Sequence, residues 1–268
     1  MMEINYITIY DNTPEARVLF VSESVTDVLG WQPEELLGNG GYGITHPDER
    51  HALALIHSTN VKNERLSSVT SFRSRHKQGH YINTDVVIHY CYDVLIATHF
   101  AVVSADCIKH KMRTSSADEA YVIQQDGTIQ LTGAWNNSQQ RIKKLLTNKN
   151  PWNIDSTILD EREPRFCLFL NRYTSHSTIV FATNMCLALV GMNPFECIGE
   201  SLLDYVSPKD RESVAKQIEL SKSSDMIARL RFDWIKPDNT LAAVEAVCSS
   251  TFDGIVMVVR LIPVTVAI

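Results

Sequence analysis

The sequence lacks the features that define membrane and secreted proteins. It contains no apolar run near the ~18 residues that a membrane-spanning helix requires. Its most apolar segment, residues 255–268, is interrupted by Arg260 and Pro263. The first residues have neither a basic region nor an apolar stretch, so they do not resemble a secretory signal. We therefore expect an intracellular protein, cytoplasmic or nuclear or both, with no membrane association.

Cysteine is scarce and scattered. The six cysteines lie far apart, and no Cys-x-x-Cys pair occurs. His89 and Cys91 share one face of a predicted strand, but a structural zinc site needs four ligands and no second pair is present. We therefore expect reduced thiols and no metal site.

An excess of basic charge and the common catalytic motifs are also missing. The 25 Lys and Arg residues face 31 Asp and Glu residues, which gives a net charge of −6. Proteins that bind nucleic acid directly carry clustered Lys and Arg, so we expect no direct nucleic-acid contact. Nucleophile elbows, P-loops and zinc-protease motifs are absent from the sequence. The prediction is that the protein is not an enzyme.

What the sequence does contain is an internal repeat. A shift of 161 residues aligns residues 20–30 (FVSESVTDVLG) with residues 181–191 (FATNMCLALVG). In the same register Pro33 aligns with Pro194, and Gly38 aligns with Gly199. The repeat predicts two copies of one module, in residues 1–110 and 163–268, joined by a connector at residues 111–162.

Each copy has the same predicted order of elements: two strands, three helices and three strands. The prolines suit the first turn of a helix, and the glycines suit a helix end. Strands at the end of each copy alternate apolar and polar residues, as half-buried strands do. The predicted fold class is α+β, with a five-stranded antiparallel sheet in each copy and short helices packed on one face.

The first copy resembles PAS domains. The resemblance is carried by this order of elements, by residues 20–38 (FVSESVTDVLGWQPEELLG) and by residues 46–49 (HPDE). It covers residues 4–109 and 165–263. Residues 165–173 and 225–232 further look like the non-photochemical PAS domains of fungal white-collar-type regulators. The resemblance implies a tandem PAS signalling protein that acts by protein–protein interaction, plausibly in transcriptional regulation.

The resemblance to PAS proteins raises two cofactors, flavin and haem. In light-sensing members a cysteine forms a flavin adduct three residues after the helix-closing glycine, and this sequence has Gly41 and Leu202 there. A covalent flavin adduct is therefore excluded. The resemblance places haem ligands on the long helix that carries His51 and His57. Six residues apart, they point about 120° away from each other. A sensor of haem or another apolar ligand in the first copy is the alternative function; the main expectation is no cofactor.

The connector and the core also carry predictions. Residues 121–131 contain the Asp-Gly signature of a β-hairpin, and residues 137–149 read as a basic amphipathic helix. Residues 38–43 (GNGGYG) match the dinucleotide-binding pattern, but they follow a helix and are interpreted as a loop. The residues predicted to be buried are Phe20, Val28, Leu29, Leu37 and Phe72 in the first copy, and Phe181, Leu189, Ile198, Leu230 and Phe232 in the second.

An association surface is predicted on the second copy. Glu245 and Arg260 mark the outer face of its sheet, and that face also carries an unusual number of apolar residues. Its cover could be the connector helix or a second subunit, and we favour a homodimer or heterodimer through the sheet faces. The predicted interface residues are Leu241, Ala243, Val247, Val256, Val258 and Ile262.

Overall fold

A computed structural model describes residues 4–91, 93–102, 117–132, 163–224 and 227–262. The chain divides into two compact units, residues 1–162 and 163–268. Each unit is an antiparallel-rich sheet with short helices, so the predicted α+β class is confirmed. The predicted connector helix at residues 137–149 lies outside the described residues.

The described part of the first unit contains seven strands. Its elements are β1 (Asn5–Asp11), β2 (Val18–Val21), α1 (Val25–Leu29), α2 (Pro33–Leu36), a 3-10 helix (Gly41–Ile44), α3 (Pro47–Lys62), β3 (Ser67–Arg75), β4 (Tyr81–Tyr90), β5 (Val94–Ala101), β6 (Glu119–Ile123) and β7 (Ile129–Leu131). The strand order is β2-β1-β5-β4-β3-β6-β7. The sheet is therefore two strands wider than predicted.

The second unit repeats the first five strands of this order. Its elements are β8 (Arg165–Leu170), β9 (Ile179–Ala182), α4 (Met185–Val190), a 3-10 helix (Leu202–Tyr205), α5 (Arg211–Ser224), β10 (Ile227–Ile235), β11 (Leu241–Ser250) and β12 (Ile255–Leu261). The strand order is β10-β11-β12-β8-β9. In both units the helix after the second strand ends at a glycine, Gly30 or Gly191, with positive φ.

The two extra strands come from the connector. The hairpin β6–β7 turns at Gly127, as the Asp-Gly signature predicted, and β6 pairs in parallel with β3. Tyr121 and Ile123 join the first core. The hairpin is fixed at its start by Glu119, which lies 2.7 Å from Arg65.

This hairpin explains a difference between the two long helices. α3 buries nearly its whole circumference, including Ser58, Thr59 and Asn60. The Tyr121 hydroxyl donates to Asn60 Oδ1 at 3.3 Å, which places the hairpin against this helix. In α5, by contrast, Val214, Ile218 and Ser221 form a single buried stripe. The hairpin therefore covers a side of α3 that has no covered counterpart in α5.

Removing the Asp118 carboxylate is expected to loosen this hairpin. The carboxylate accepts hydrogen bonds from the backbone N–H groups of Leu66 at 2.6 Å and Ser67 at 3.2 Å. Losing them from part-buried donors should cost about 1–3 kcal/mol. Asp118→Ala should therefore lower hydrogen-exchange protection in residues 117–132. Asp27→Ala, at an exposed helix residue, is the control, and equal protection in both variants would contradict this placement.

Four of the ten predicted core residues are exposed. Phe20, Leu37, Phe181 and Ile198 are each exposed by about 45%. In β2 and β9 the middle two residues of the strand are exposed and the first and last are buried. Both strands lie at a sheet edge. The segment just before the 3-10 helix pairs with the first residue of each strand, for example through the Gly38 N–H and the Val18 carbonyl. This segment, rather than strict alternation along the strand, therefore sets the buried positions. The other six lie in the cores or, like Leu189, pack on them.

Glu245 lies on the outer face of the second sheet, as predicted, but is nearly fully buried. Its cross-strand neighbours are Arg231 and Arg260. Arg260 donates from Nη2 at 2.6 Å, Arg231 donates from Nη2 at 3.0 Å, and Arg229 adds Nη1 at 3.3 Å. Burial alone would raise the pKa of Glu245, but the hydrogen bonds from these arginines hold it below its ordinary value.

No helix in the described ranges is long and apolar enough to cross a membrane.

Candidate functional site

The first unit encloses a small cavity between α3, the 3-10 helix and the inner face of its sheet. Its walls are mainly apolar side chains, among them Leu53, Phe72, Val86, Ile88 and Leu95. Two histidines and two tyrosines also line it: His57 from α3, His99 from β5, Tyr10 from β1 and Tyr42 from the 3-10 helix. The polar groups of this cavity are thus carried by four aromatic side chains.

His57 is held by Tyr42. The Tyr42 hydroxyl lies 3.0 Å from His57 Nδ1, and the two rings are 5.6 Å apart. The other ring nitrogen, Nε2, is buried and has no hydrogen-bond partner. Burial lowers the pKa of His57 to about 4, so the imidazole is neutral at physiological pH.

His99 is fixed between two tyrosines. The Tyr6 ring stacks on it with centroids 4.3 Å apart, because the two residues are direct cross-strand partners. The Tyr10 hydroxyl lies 3.3 Å from His99 Nε2, while Nδ1 has no partner. Burial, with a smaller contribution from His57, lowers the pKa of His99 to about 3. Burial also raises the pKa of Tyr10 to about 12.

The cavity does not fit haem. Its volume is about 20 Å³, which is room for about one water molecule. His57 lines the cavity as one predicted ligand, but His51 is exposed and does not. The unpartnered nitrogens of His57 and His99 could bond only a water-sized molecule in this arrangement.

The residues that stand where light-sensing PAS domains carry the adduct-forming cysteine are at equivalent places in the two units. Gly41 begins the first 3-10 helix, and the fully buried Leu202 begins the second. A β-carbon at position 41 would lie 2.5 Å from the Tyr10 ring and 2.8 Å from the Ala16 carbonyl oxygen. A cysteine at this position would therefore require the core to rearrange.

The glycine loop does not present a cradle of free amides. The N–H groups of Gly38, Gly41 and Gly43 donate to the carbonyls of Val18, Ala16 and Gly40. Phosphate-binding loops instead point such groups at the ligand. The described residues also hold no group of three or more His, Cys, Asp and Glu side chains placed to bind a metal.

The predicted interface residues separate into two sets. Leu241 and Ala243 are exposed, and Ile262 is half-buried. Val247, Val256 and Val258 are fully buried within the chain. In the sheet Val258 is paired with Val247 on one side and with Cys167 on the other. A glutamate at position 258 would place a charge at a buried position and should destabilise the second unit.

The PAS fold family matches residues 18–94. This part of the chain is a PAS domain. A 68-residue stretch is 31% identical to basic helix-loop-helix ARNT-like protein 2 of Gallus gallus, over 25% of this chain and 11% of that protein. The chain thus matches about a tenth of the length of this relative.

Solved PAS structures are also similar. The wild-type Drosophila melanogaster Cycle PAS-B, with bound ethylene glycol, is 12% identical, with a TM-score of 0.32 over 36% of this chain and 97% of that one. A PAS domain of a protein from Colwellia psychrerythraea is 13% identical, with a TM-score of 0.34 over 37% of this chain and 86% of that one.

Sequence reasoning found one of the four polar residues of the PAS cavity. His57 was recognised from its place on the long helix. His99, Tyr10 and Tyr42 were missed. Tyr10 and His99 lie 89 residues apart in the chain and come together only in the folded sheet. The available signal was the run of polar aromatic residues on β1, whose alternate positions Tyr6 and Tyr10 share one face.

Proposed function

We propose that this chain is a non-enzymatic signalling module in transcriptional regulation, and that both of its units are PAS domains that act by dimerisation. Similarity to a basic helix-loop-helix protein supports this proposal, since such proteins bind DNA as dimers. The sequence likeness to white-collar-type regulators points to the same function. The second unit repeats the order of the first five strands of the first unit, and apart from α2 it has helices at the same places between them. A regulator of this kind acts in the cytoplasm or the nucleus.

The observation that carries the proposal is a repeated set of exposed apolar residues. In the second strand of each unit, Leu19 and Val180 are exposed by 54% and 49%, and Phe20 and Phe181 by 44% each. These pairs are equivalent in the 161-residue repeat. We call these four residues, one pair in each unit, the edge surface.

The edge surface is suited to a protein partner. Large apolar side chains exposed together are typical of interaction sites. β2 and β9 are also the last strands of their sheets in the described order, and an edge strand offers unpaired backbone groups to another chain. Leu241, Ala243 and Ile262 of the predicted interface stay accessible as a second contact.

A negative charge in the second strand of both units is expected to weaken self-association. The full chain should sediment as a dimer, and the double variant Phe20→Glu/Phe181→Glu should raise the dissociation constant at least tenfold, which corresponds to about 1.4 kcal/mol. Both side chains are exposed, so the units should stay folded. Sedimentation equilibrium measures the dissociation constant.

Phe252→Glu is the matched control. Phe252 is 52% exposed in the second unit and lies outside the edge surface. It should leave the dissociation constant unchanged. A wild-type chain that stays monomeric at the highest concentration reached would contradict homodimerisation.

The buried nucleophiles support the non-enzymatic part of the proposal. Burial raises the pKa of the Cys186 thiol to about 11 and that of Cys248 to about 12. A catalytic cysteine instead needs a lowered pKa. His57 and His99, with pKa values of about 4 and 3, are poorly matched to proton transfer at neutral pH.

A further inference from the structure

The first unit has a second, larger pocket beside the glycine loop. Its volume is about 340 Å³, within the range of small-molecule sites. Its floor is formed by buried residues of the core, including Tyr10, Val18 and Leu36. The half-buried Trp31 lines it as well. We call this pocket the loop cleft.

Glycine keeps the loop cleft open. Gly40, Gly41 and Gly43 line one side and contribute no side chains. The mouth is polar, since the lining residues Asn39, Glu35 and Arg75 are exposed. The cleft therefore combines an apolar floor with a charged opening, which fits a ligand with one apolar end and one charged end.

The sign of the charge at the mouth follows from the ion pairs. The two Glu35 carboxylate oxygens each lie 2.7 Å from Lys77 Nζ, so the acidic group is already neutralised. The Arg75 backbone carbonyl is fixed by the Trp31 indole N–H at 3.0 Å. No described residue bonds or pairs with its guanidinium. Among the described residues that line this opening, Arg75 carries a charge without an ionic partner.

We propose that the loop cleft binds a small carboxylic acid, with its apolar body on the floor and its carboxylate on Arg75. Guanidinium groups bind carboxylates through two parallel hydrogen bonds, which no neutral isostere reproduces. No histidine lines this cleft, although Tyr10, Gly41 and Ile44 line both the cleft and the smaller cavity. It also does not depend on the edge surface or on dimerisation.

The test compares 3-phenylpropionate with 3-phenylpropanamide, its neutral isostere, on the full chain. Binding is followed by the NMR shift of the Trp31 indole N–H, assigned with Trp31→Phe. The acid should bind about tenfold more tightly than the amide. Arg75→Gln should abolish this preference and leave the affinity for the amide unchanged.

Lys62→Gln removes an exposed positive charge elsewhere in the first unit and is the control. It should keep the preference for the acid. Equal affinities for acid and amide in the wild type would overturn the proposal. The same loss in Lys62→Gln and Arg75→Gln would also overturn it, because it would show a general charge effect. A variant that loses ligand binding but still dimerises, or one that binds the ligand but is monomeric, distinguishes this site from the proposed function.

Discussion

Replacing Trp234 by alanine is expected to lower the free energy of unfolding of the second unit by about 3–5 kcal/mol. Trp234 is fully buried. Its ring stands edge-on to Phe166 at 5.5 Å and stacks on Tyr205 at 5.3 Å. Its indole nitrogen has no hydrogen-bond partner, so the loss is one of packing and apolar burial.

Phe181→Ala is the matched control in the same unit. Its side chain is 44% exposed and contacts the half-buried Phe169. The expected loss is below about 1 kcal/mol, because partial burial carries only part of the transfer free energy. Hydrogen-exchange mass spectrometry on peptides from residues 227–262 measures both variants, with the first unit as an internal reference. Equal losses would contradict the burial pattern of β9.

Acidification is expected to destabilise the first unit selectively. His57, His89 and His99 have pKa values of about 4, 3 and 3 in the fold, because burial disfavours their charged forms. The unfolded chain has ordinary values near 6.5 and so binds more protons below that pH. Stability is therefore complete above pH 6.5 and falls as the pH drops toward 4. At pH 5 the loss is about 2 kcal/mol for each histidine.

The second unit is the internal control for this pH dependence. Residues 163–268 contain one histidine, His176, which is exposed. Exchange protection, corrected for the intrinsic rate at each pH, should fall between pH 7 and 5 in the first unit and stay nearly constant in the second. His57→Gln keeps an oxygen for the Tyr42 hydroxyl and should reduce the pH slope by one proton. A parallel decline in both units would show that the histidines are not responsible.

Much of the fold was readable from local patterns. The repeat predicted two units, and Gly30 and Gly191 end their helices with positive φ as expected. The hairpin at residues 121–131 followed from its turn residues. Such features depend on neighbours in the chain, so the sequence carries them directly.

Residues at sheet edges were predicted less well. Phe20 and Phe181 have the apolarity of core residues, but in a four-residue strand alternation does not decide which side is covered. In the structure the segment just before the 3-10 helix of each unit pairs with Val18 and with Ile179. Burial in these strands is therefore set by a segment about 20 residues further along the chain.

The sequence alone determined the fold class, the repeat, the place of His57 on the long helix and the lack of a thiol at positions 41 and 202. Only the tertiary structure decided that the connector hairpin completes the first sheet and covers α3. It also decided that His99 meets Tyr6 and Tyr10, and that Glu245 is buried among arginines rather than solvated. Each of these outcomes depends on how strands pair with one another, and a one-residue change of register would turn the same side chains to the opposite face.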